Sequence, residues 1–120
     1  MKSLKSLLET LNNITHNKRN CTFSMPGGEL CYYDMAFTIP DSEDCLEIQT
    51  LYVTDRRKGI GSALVNACKE YANQIGKDIV LCASPLGSGI SENNLIRFYN
   101  DLGFEHIKGL PKSMLKYRHK

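Results

Sequence analysis

The residues best suited to chemistry form one run, Arg56-Arg57-Lys58-Gly59-Ile60-Gly61-Ser62, with the apolar Leu51-Tyr52-Val53 before it. Just past the glycines, Ile60, Leu64, Ala67/Cys68, Tyr71 and Ile75 recur at helical spacing. A strand ending at Val53, a short basic loop with two glycines and then a helix is an arrangement that holds a phosphate. Glycine lets the backbone approach closely, several N–H groups point one way, and the helix dipole favours negative charge. Three consecutive cations add long-range attraction. Two familiar phosphate motifs fail on spacing. A P-loop needs Gly-Lys followed by Ser or Thr, whereas Lys58 precedes Gly59. A dinucleotide fingerprint needs a small third residue, where Leu64 stands. What remains is Arg-x-x-Gly-x-Gly, met by Arg56, Gly59 and Gly61; alone it is also matched by a basic turn whose glycines merely start a helix.

Around this loop the chain reads as a single α/β domain over residues 1–120, long enough to bury a core without disulfides. Leu4, Leu7, Leu8, Leu11 and Ile14 predict a first helix with one apolar face. Asn17–Asn20 breaks that pattern. Cys21–Met25 and Leu30–Ile39 read as a hairpin about Pro26-Gly27-Gly28, and Cys45–Val53 as a third antiparallel strand. Gly76-Lys77 ends the helix after the glycine loop. The nearly continuous apolar run Asp78–Cys82 then suits a buried strand parallel to the one before the helix. Ser91 caps a last helix bearing Leu95, Phe98, Tyr99 and Leu102, which stops at Gly103. Phe104–Ile107 and Met114–Tyr117 close the sheet. The expected architecture is a mixed central sheet with helices on both faces.

Composition narrows the function classes. No apolar run approaches the roughly 20 residues of a membrane span, and Met1–Lys5 continues as an amphipathic pattern rather than a signal peptide. The five cysteines are odd in number and widely spaced, so they read as reduced thiols in a cytoplasmic protein, small core hydrophobes rather than metal ligands. Charge is segregated: no lysine or arginine lies between Arg19 and Arg56, while Glu29, Asp34, Asp41, Glu43, Asp44, Glu47 and Asp55 do. The tail after Phe104 carries Lys108, Lys112, Lys116, Arg118 and Lys120. An acidic middle beside a basic loop suits a site with a cationic partner on one side and an anionic one on the other. The tail lacks interleaved stacking aromatics, which argues against nucleic acid as a partner. His16, His106 and His119 belong to no constellation and read as surface or packing residues.

A second motif decides between the readings of the glycine loop. Leu95-Ile96-Arg97-Phe98-Tyr99-Asn100-Asp101-Leu102-Gly103-Phe104 resembles the second motif of the GCN5-related N-acetyltransferases (GNAT), an apolar helix ending in Phe-Tyr and then Leu-Gly-Phe. The Arg56/Gly59/Gly61 pattern resembles the same family's acetyl-CoA signature, and the two stand in that family's order. The resemblance covers about Cys45 to Ile107. Pro85, Ile90-Ser91, Leu95-Ile96 and Phe98-Tyr99 further resemble the very short members of mobile elements, an anti-CRISPR acetyltransferase among them.

The resemblance implies a short version of the acyl-CoA N-acyltransferase fold. It also implies acetyl-CoA as acetyl donor and direct transfer to a primary amine in a ternary complex. Leu51 and Val53 would offer backbone groups to the pantetheine arm, and Arg56, Arg57, Lys58, Gly59, Ile60, Gly61 and Ser62 would hold the diphosphate. Asn94 would contact the pantetheine, helix capping being the competing role. Tyr99 matches the family's phenol facing the coenzyme sulfur, while Phe98 is the packing residue. Many members place a glutamate on the strand before the loop; here Gln49 stands there and takes no proton, which turns attention to Glu47 acting through water, with Asp34 and Asp55 as weaker alternatives. The acidic middle suggests a cationic acceptor, a protein lysine or a polyamine, and a homodimer is compatible. The competing class is a non-catalytic acyl-CoA-binding or protein-interaction module on the same fold.

Overall fold

The computed structural model describes residues 13–36, 39–54, 58–84 and 90–120. Within them seven strands form one sheet: β1 (Thr15–Asn17), β2 (Thr22–Met25), β3 (Gly28–Tyr33), β4 (Leu46–Val53), β5 (Ile79–Cys82), β6 (Glu105–His106) and β7 (Met114–Tyr117). Their spatial order is β1-β2-β3-β4-β5-β7-β6. Helix α1 (Ile60–Ile75) connects β4 to β5, and helix α2 (Glu92–Asp101) follows β5. The α1 crossover makes β4 and β5 parallel, whereas the other neighbouring pairs are antiparallel.

Local sequence accounts for these boundaries. Ile60, Leu64, Cys68 and Ala72 recur every fourth residue and are all buried, so α1 lays one stripe on the sheet. It ends at Gly76, whose φ of 69° suits glycine, with Lys77 N–H donating back to Ala72 O at 3.0 Å. Ser91 Oγ caps α2 by accepting the Asn94 N–H at 3.2 Å. Gly103 at φ 93° turns the chain out of α2. In β5, Ile79 and Leu81 face one layer and Val80 the other, which explains the unbroken apolar run.

Both described helices share one face. Ile60, Leu64, Val65, Cys68 and Ala72 of α1 and Tyr99 of α2 meet Leu30, Tyr32, Leu46, Ile48, Ile79, Leu81, Leu115 and Tyr117 in a single core. The opposite face carries a smaller cluster of Ala36, Ile39, Cys45 and Val80, edged by Ile107, Leu110 and Met114. The helix expected over Leu4–Ile14 falls outside the described residues except at its end, where Ile14 packs on the larger core.

Two features differ from the sequence expectation. A strand, β1, occupies Thr15–Asn17, so four antiparallel strands rather than three lead into the glycine loop. Its single inward residue is His16, whose ring stacks on Phe23 (centroids 4.1 Å apart, planes at 11°) and whose Nε2 lies 2.6 Å from the Tyr32 hydroxyl. One polar inward residue leaves no apolar alternation to detect. The next difference is the end of β3, at Tyr33 rather than Ile39, because the chain bends at Asp34-Met35 and Asp34 turns outward to Lys77, 2.8 Å away.

The β2–β3 turn sets how closely α1 approaches. Pro26 followed by Gly27 at φ 92° is the residue order of a type II turn. A Cβ on the next residue, Gly28, would stand 2.6 Å from Ile60 Cγ2 and 3.1 Å from the Tyr52 carbonyl oxygen. Gly28→Ala is therefore expected to destabilise the fold by about 1–3 kcal/mol through overpacking, read from urea unfolding. His16 gives a pH test. Burial first, and Lys18 second, lower its pKa from the ordinary 6.5. Protonation then costs more in the folded than the unfolded chain, so its contribution is intact above pH 6.5 and erodes as pH falls below it. Relative to His16→Gln, the wild type should lose stability between about pH 7.5 and 5.5.

Candidate functional site

The site begins with one residue that lacks a partner. Along β4, Glu47 pairs with Tyr33, Ile48 with Tyr32, Thr50 with Cys31 and Leu51 with Leu30, so Gln49 is skipped. A residue inserted in this way bends its strand and increases the local twist. On its other side β4 pairs with β5 only from Leu46 to Ile48. Beyond Ile48 the two parallel strands separate, and among the described residues the β4 backbone facing β5 has no ladder partner there.

Between the separated strands lies an open groove of about 610 Å³. One wall is β4 from Ile48 to Val53, the other Leu81, Cys82, Ala83 and Ser84, and Ile90, Leu95 and Tyr99 close its floor. A strand edge with unpaired backbone groups can hydrogen-bond an extended chain of amides, and apolar walls suit its methylenes. Gln49, Leu51, Val53 and Tyr99, expected from sequence as site residues, thus line one cavity.

The start of α1 lies against the Leu51 and Val53 side chains that line the groove. Gly59 sits just before the helix with φ 72° and ψ 16°, a left-handed conformation that favours glycine. The helical ladder begins with Ala63 N–H donating to Gly59 O at 3.1 Å. The N–H groups of Ile60, Gly61 and Ser62 precede it and have no acceptor within the helix. No side chain caps this end and no acidic residue stands in the first turn, so the positive end of the dipole is uncompensated. Gly61 lies where three elements meet: a Cβ there would touch Phe98 Cζ at 3.4 Å, Val53 Cγ2 at 3.5 Å and Leu51 Cδ2 at 3.7 Å. Lys58 is exposed beside it. Arg56 and Arg57 lie outside the described residues, as does Asp55.

At the inner end stands the phenol of Tyr99. It is 5% exposed, packed edge-on against Phe98 (5.0 Å between centroids) and Phe104 (5.5 Å). Burial, with a small contribution from Cys68, pushes its phenol up to about 12. The hydroxyl is therefore protonated throughout the physiological range and can give a proton to a stronger base.

The carboxylate expected nearby is present but indirect. Glu47 is 2% exposed and accepts a hydrogen bond from the Gln49 side-chain amide. Gln49 reaches the groove and Glu47 stands behind it. Asp34 is held by Lys77 beyond the C-terminal end of α1. Asn94 is exposed at the first turn of α2, its backbone N–H taken by Ser91, while Ile90 and Leu95 on either side line the groove.

Sequence reasoning missed the second wall. All five cysteines are free thiols, but Cys82 is exposed in the groove rather than buried in a core, with Sγ 3.7 Å from Ser113 Oγ. Residues 81–84 looked like a strand end running into a Gly/Ser/Pro loop, and nothing in their letters marks a wall. Part of the basic tail is engaged within the molecule: His119 Nδ1 lies 2.7 Å and Lys116 Nζ 3.5 Å from the Asp78 carboxylate, and Lys112 donates to Asn93 Oδ1 at 3.2 Å. Among the described residues no helix is long and apolar enough to cross a membrane.

The family model described as Acetyltransferase (GNAT) family matches residues 25–104. An uncharacterized N-acetyltransferase of Methanocaldococcus jannaschii is 37% identical over 74 residues, which is 58% of this chain and 31% of that protein, so the chain spans under a third of that relative's length. The anti-CRISPR protein AcrVA5 superposes with a TM-score of 0.67 at 30% identity, over 80% of this chain and 95% of its own. The N-acetyltransferase YlbP of Bacillus subtilis, in complex with coenzyme A, shares the fold at a TM-score of 0.54 and 15% identity, over 98% of this chain and 92% of that one.

The buried phenol gives a direct test of the site. At pH 10, the ordinary midpoint for tyrosine, an ultraviolet difference titration of wild type against Tyr99→Phe should contain no phenolate from Tyr99. A midpoint at the ordinary value would mean that the groove floor is open to water.

Proposed function

We infer, from the premise that the chain belongs to the acetyltransferase (GNAT) family, that it moves an acetyl group from acetyl-CoA directly to a primary amine within a ternary complex. The observation that carries this reading is the groove along the unpaired edge of β4 to the buried phenol of Tyr99, with the uncapped start of α1 set against its Leu51 and Val53 side chains. The residues present fit a coenzyme A thioester. The amides of Ile60, Gly61 and Ser62 suit a diphosphate, with Lys58 adding charge and Arg56 and Arg57 assigned to it by their motif positions. The β4 edge at Leu51 and Val53 suits the pantetheine amides, running beside them like a further strand. That acetyl-CoA is the donor is also supported by relatives of this fold that bind coenzyme A.

The chemistry follows from proton placement. A free lysine-type amine has a pKa of about 10.4 and must shed a proton before attack. Glu47 is a carboxylate with no solvent face of its own, joined to the groove by the Gln49 amide. It is the group assigned to receive that proton, by way of water beside Gln49. The amine nitrogen then forms its bond to the thioester carbonyl carbon and the carbon–sulfur bond breaks. The departing thiolate accepts a hydrogen bond from the Tyr99 hydroxyl and takes its proton from solvent. A simple thiol has a pKa of about 8.5, so the phenol does not protonate the intact thioester but helps a sulfur that is already leaving.

For the acceptor, the side of β3 and β4 opposite α1 and α2 is favoured. There Tyr52 is 66% exposed at the groove mouth, cross-strand from Glu29, and no lysine or arginine occurs from residue 20 to 55. A carboxylate beside an exposed aromatic suits a cationic amine, whether a protein lysine or a polyamine. Tyr99→Phe should lower kcat about 100-fold or more while leaving KM for acetyl-CoA within a few-fold, measured as thiol release with a panel of amines. Coenzyme A binding without thiol release at any amine would instead favour a non-catalytic binding module.

A further inference from the structure

Lys69 stands in the middle of α1, away from the groove, yet its side chain reaches the end of the other helix. Its Nζ donates to the Leu102 carbonyl oxygen at 2.6 Å and lies 4.9 Å from the centroid of the Tyr117 ring. Gly103, at φ 93°, leaves room beside it: a Cβ there would come within 3.8 Å of Nζ and 3.7 Å of Tyr117 Cδ1. Among the described residues no carboxylate forms an ion pair with this ammonium. A cation is thus placed, partly buried and without an acid, against the carbonyl end of α2. That is where a helix presents unsatisfied oxygens and partial negative charge.

The carbonyl it holds belongs to the turn that carries Tyr99. Leu102 N–H and Phe104 N–H both donate to Tyr99 O, each at 3.0 Å, and Phe104 packs on the Tyr99 ring. Fixing Leu102 O therefore fixes the backbone from which the phenol projects. The other end of the lever is α1 itself, whose start lies against the Leu51 and Val53 side chains that line the groove. We propose that Lys69 is a positioning residue. By tying the C-terminal turn of α2 to the body of α1, it sets where the Tyr99 hydroxyl sits relative to the diphosphate-holding amides of the same helix. The proposal rests on the acetyltransferase reading of Tyr99. It extends that reading by assigning the alignment of the phenol to a residue that touches neither substrate.

The alternative, that Lys69 only adds stability, makes different demands. A positioning role concentrates the loss in kcat, because a reacting group displaced by about 1 Å can cost up to about 100-fold in rate. It spares KM for the donor, whose anchoring amides are unmoved. It is also chemically selective, since an arginine can donate to the same carbonyl and lie over the same ring.

The experiment compares wild type, Lys69→Met and Lys69→Arg by steady-state kinetics with acetyl-CoA and an amine acceptor, with thermal melting, and with amide hydrogen exchange at Leu102–Phe104. Expected for Lys69→Met are a kcat lowered about 10-fold or more, KM for acetyl-CoA within two-fold, and faster exchange at Phe104. Lys69→Arg should restore both kcat and exchange. Two results would overturn the proposal: an unchanged kcat and exchange in Lys69→Met, or a loss of kcat that follows the fall in melting temperature and is not restored by arginine. A wild type that binds acetyl-CoA but turns over no amine overturns the underlying acetyltransferase reading; the exchange data still decide whether Lys69 anchors the Tyr99 turn.

Discussion

Gln49 has no opposite number on β3, and the geometry of the site descends from that vacancy. Had β4 and β5 stayed paired beyond Ile48, the β4 backbone would be satisfied by the neighbouring strand, and no slot would exist for an extended ligand. The extra residue bends β4 away, and three consequences coincide. Edge amides become available, Tyr99 gains a cavity to face, and Gln49 is brought onto the carboxylate of Glu47. A cost of unpaired polar backbone is accepted where a ligand can meet it.

The remaining site elements depend on close approach rather than on strong individual bonds. Gly28 lets Ile60 and Leu64 sit directly on β3, and Gly61 lets Phe98 and the end of β4 meet at the helix start. These two glycines bring the positive end of α1 against the Leu51 and Val53 side chains that line the groove. Capping that end with an acid would stabilise the helix by a few tenths to about 1 kcal/mol while occupying the position an anion needs. Its absence leaves that position open.

Much of this was legible in the letters, and the gaps have physical causes. The helix stripe Ile60, Leu64, Cys68 and the caps Gly76, Ser91 and Gly103 are local signals, and they fall where expected. The phenol and the glycine loop could be paired because their motifs occur in a recognised order. β1 escaped because a three-residue strand with His16 as its inward residue has no apolar rhythm. The bulge, by contrast, was written plainly: the inward positions of β4 are Leu46 and Ile48, then Leu51 and Val53, a slip of phase across Gln49-Thr50. The wall formed by Cys82, Ala83 and Ser84 had no local signature, since it is a wall only because β4 leans away from it.

A site assembled chiefly from main-chain groups has a consequence for heredity. Peptide amides are common to nearly all residue types, so the side chains at most groove positions can drift while the hydrogen-bonding surface persists. The features that set its shape in this chain are few: one unpaired residue, a pair of glycines, one phenol. That permits a recognisable fold at 15% identity over almost the whole chain. There the course of the backbone is shared where most of the letters are not.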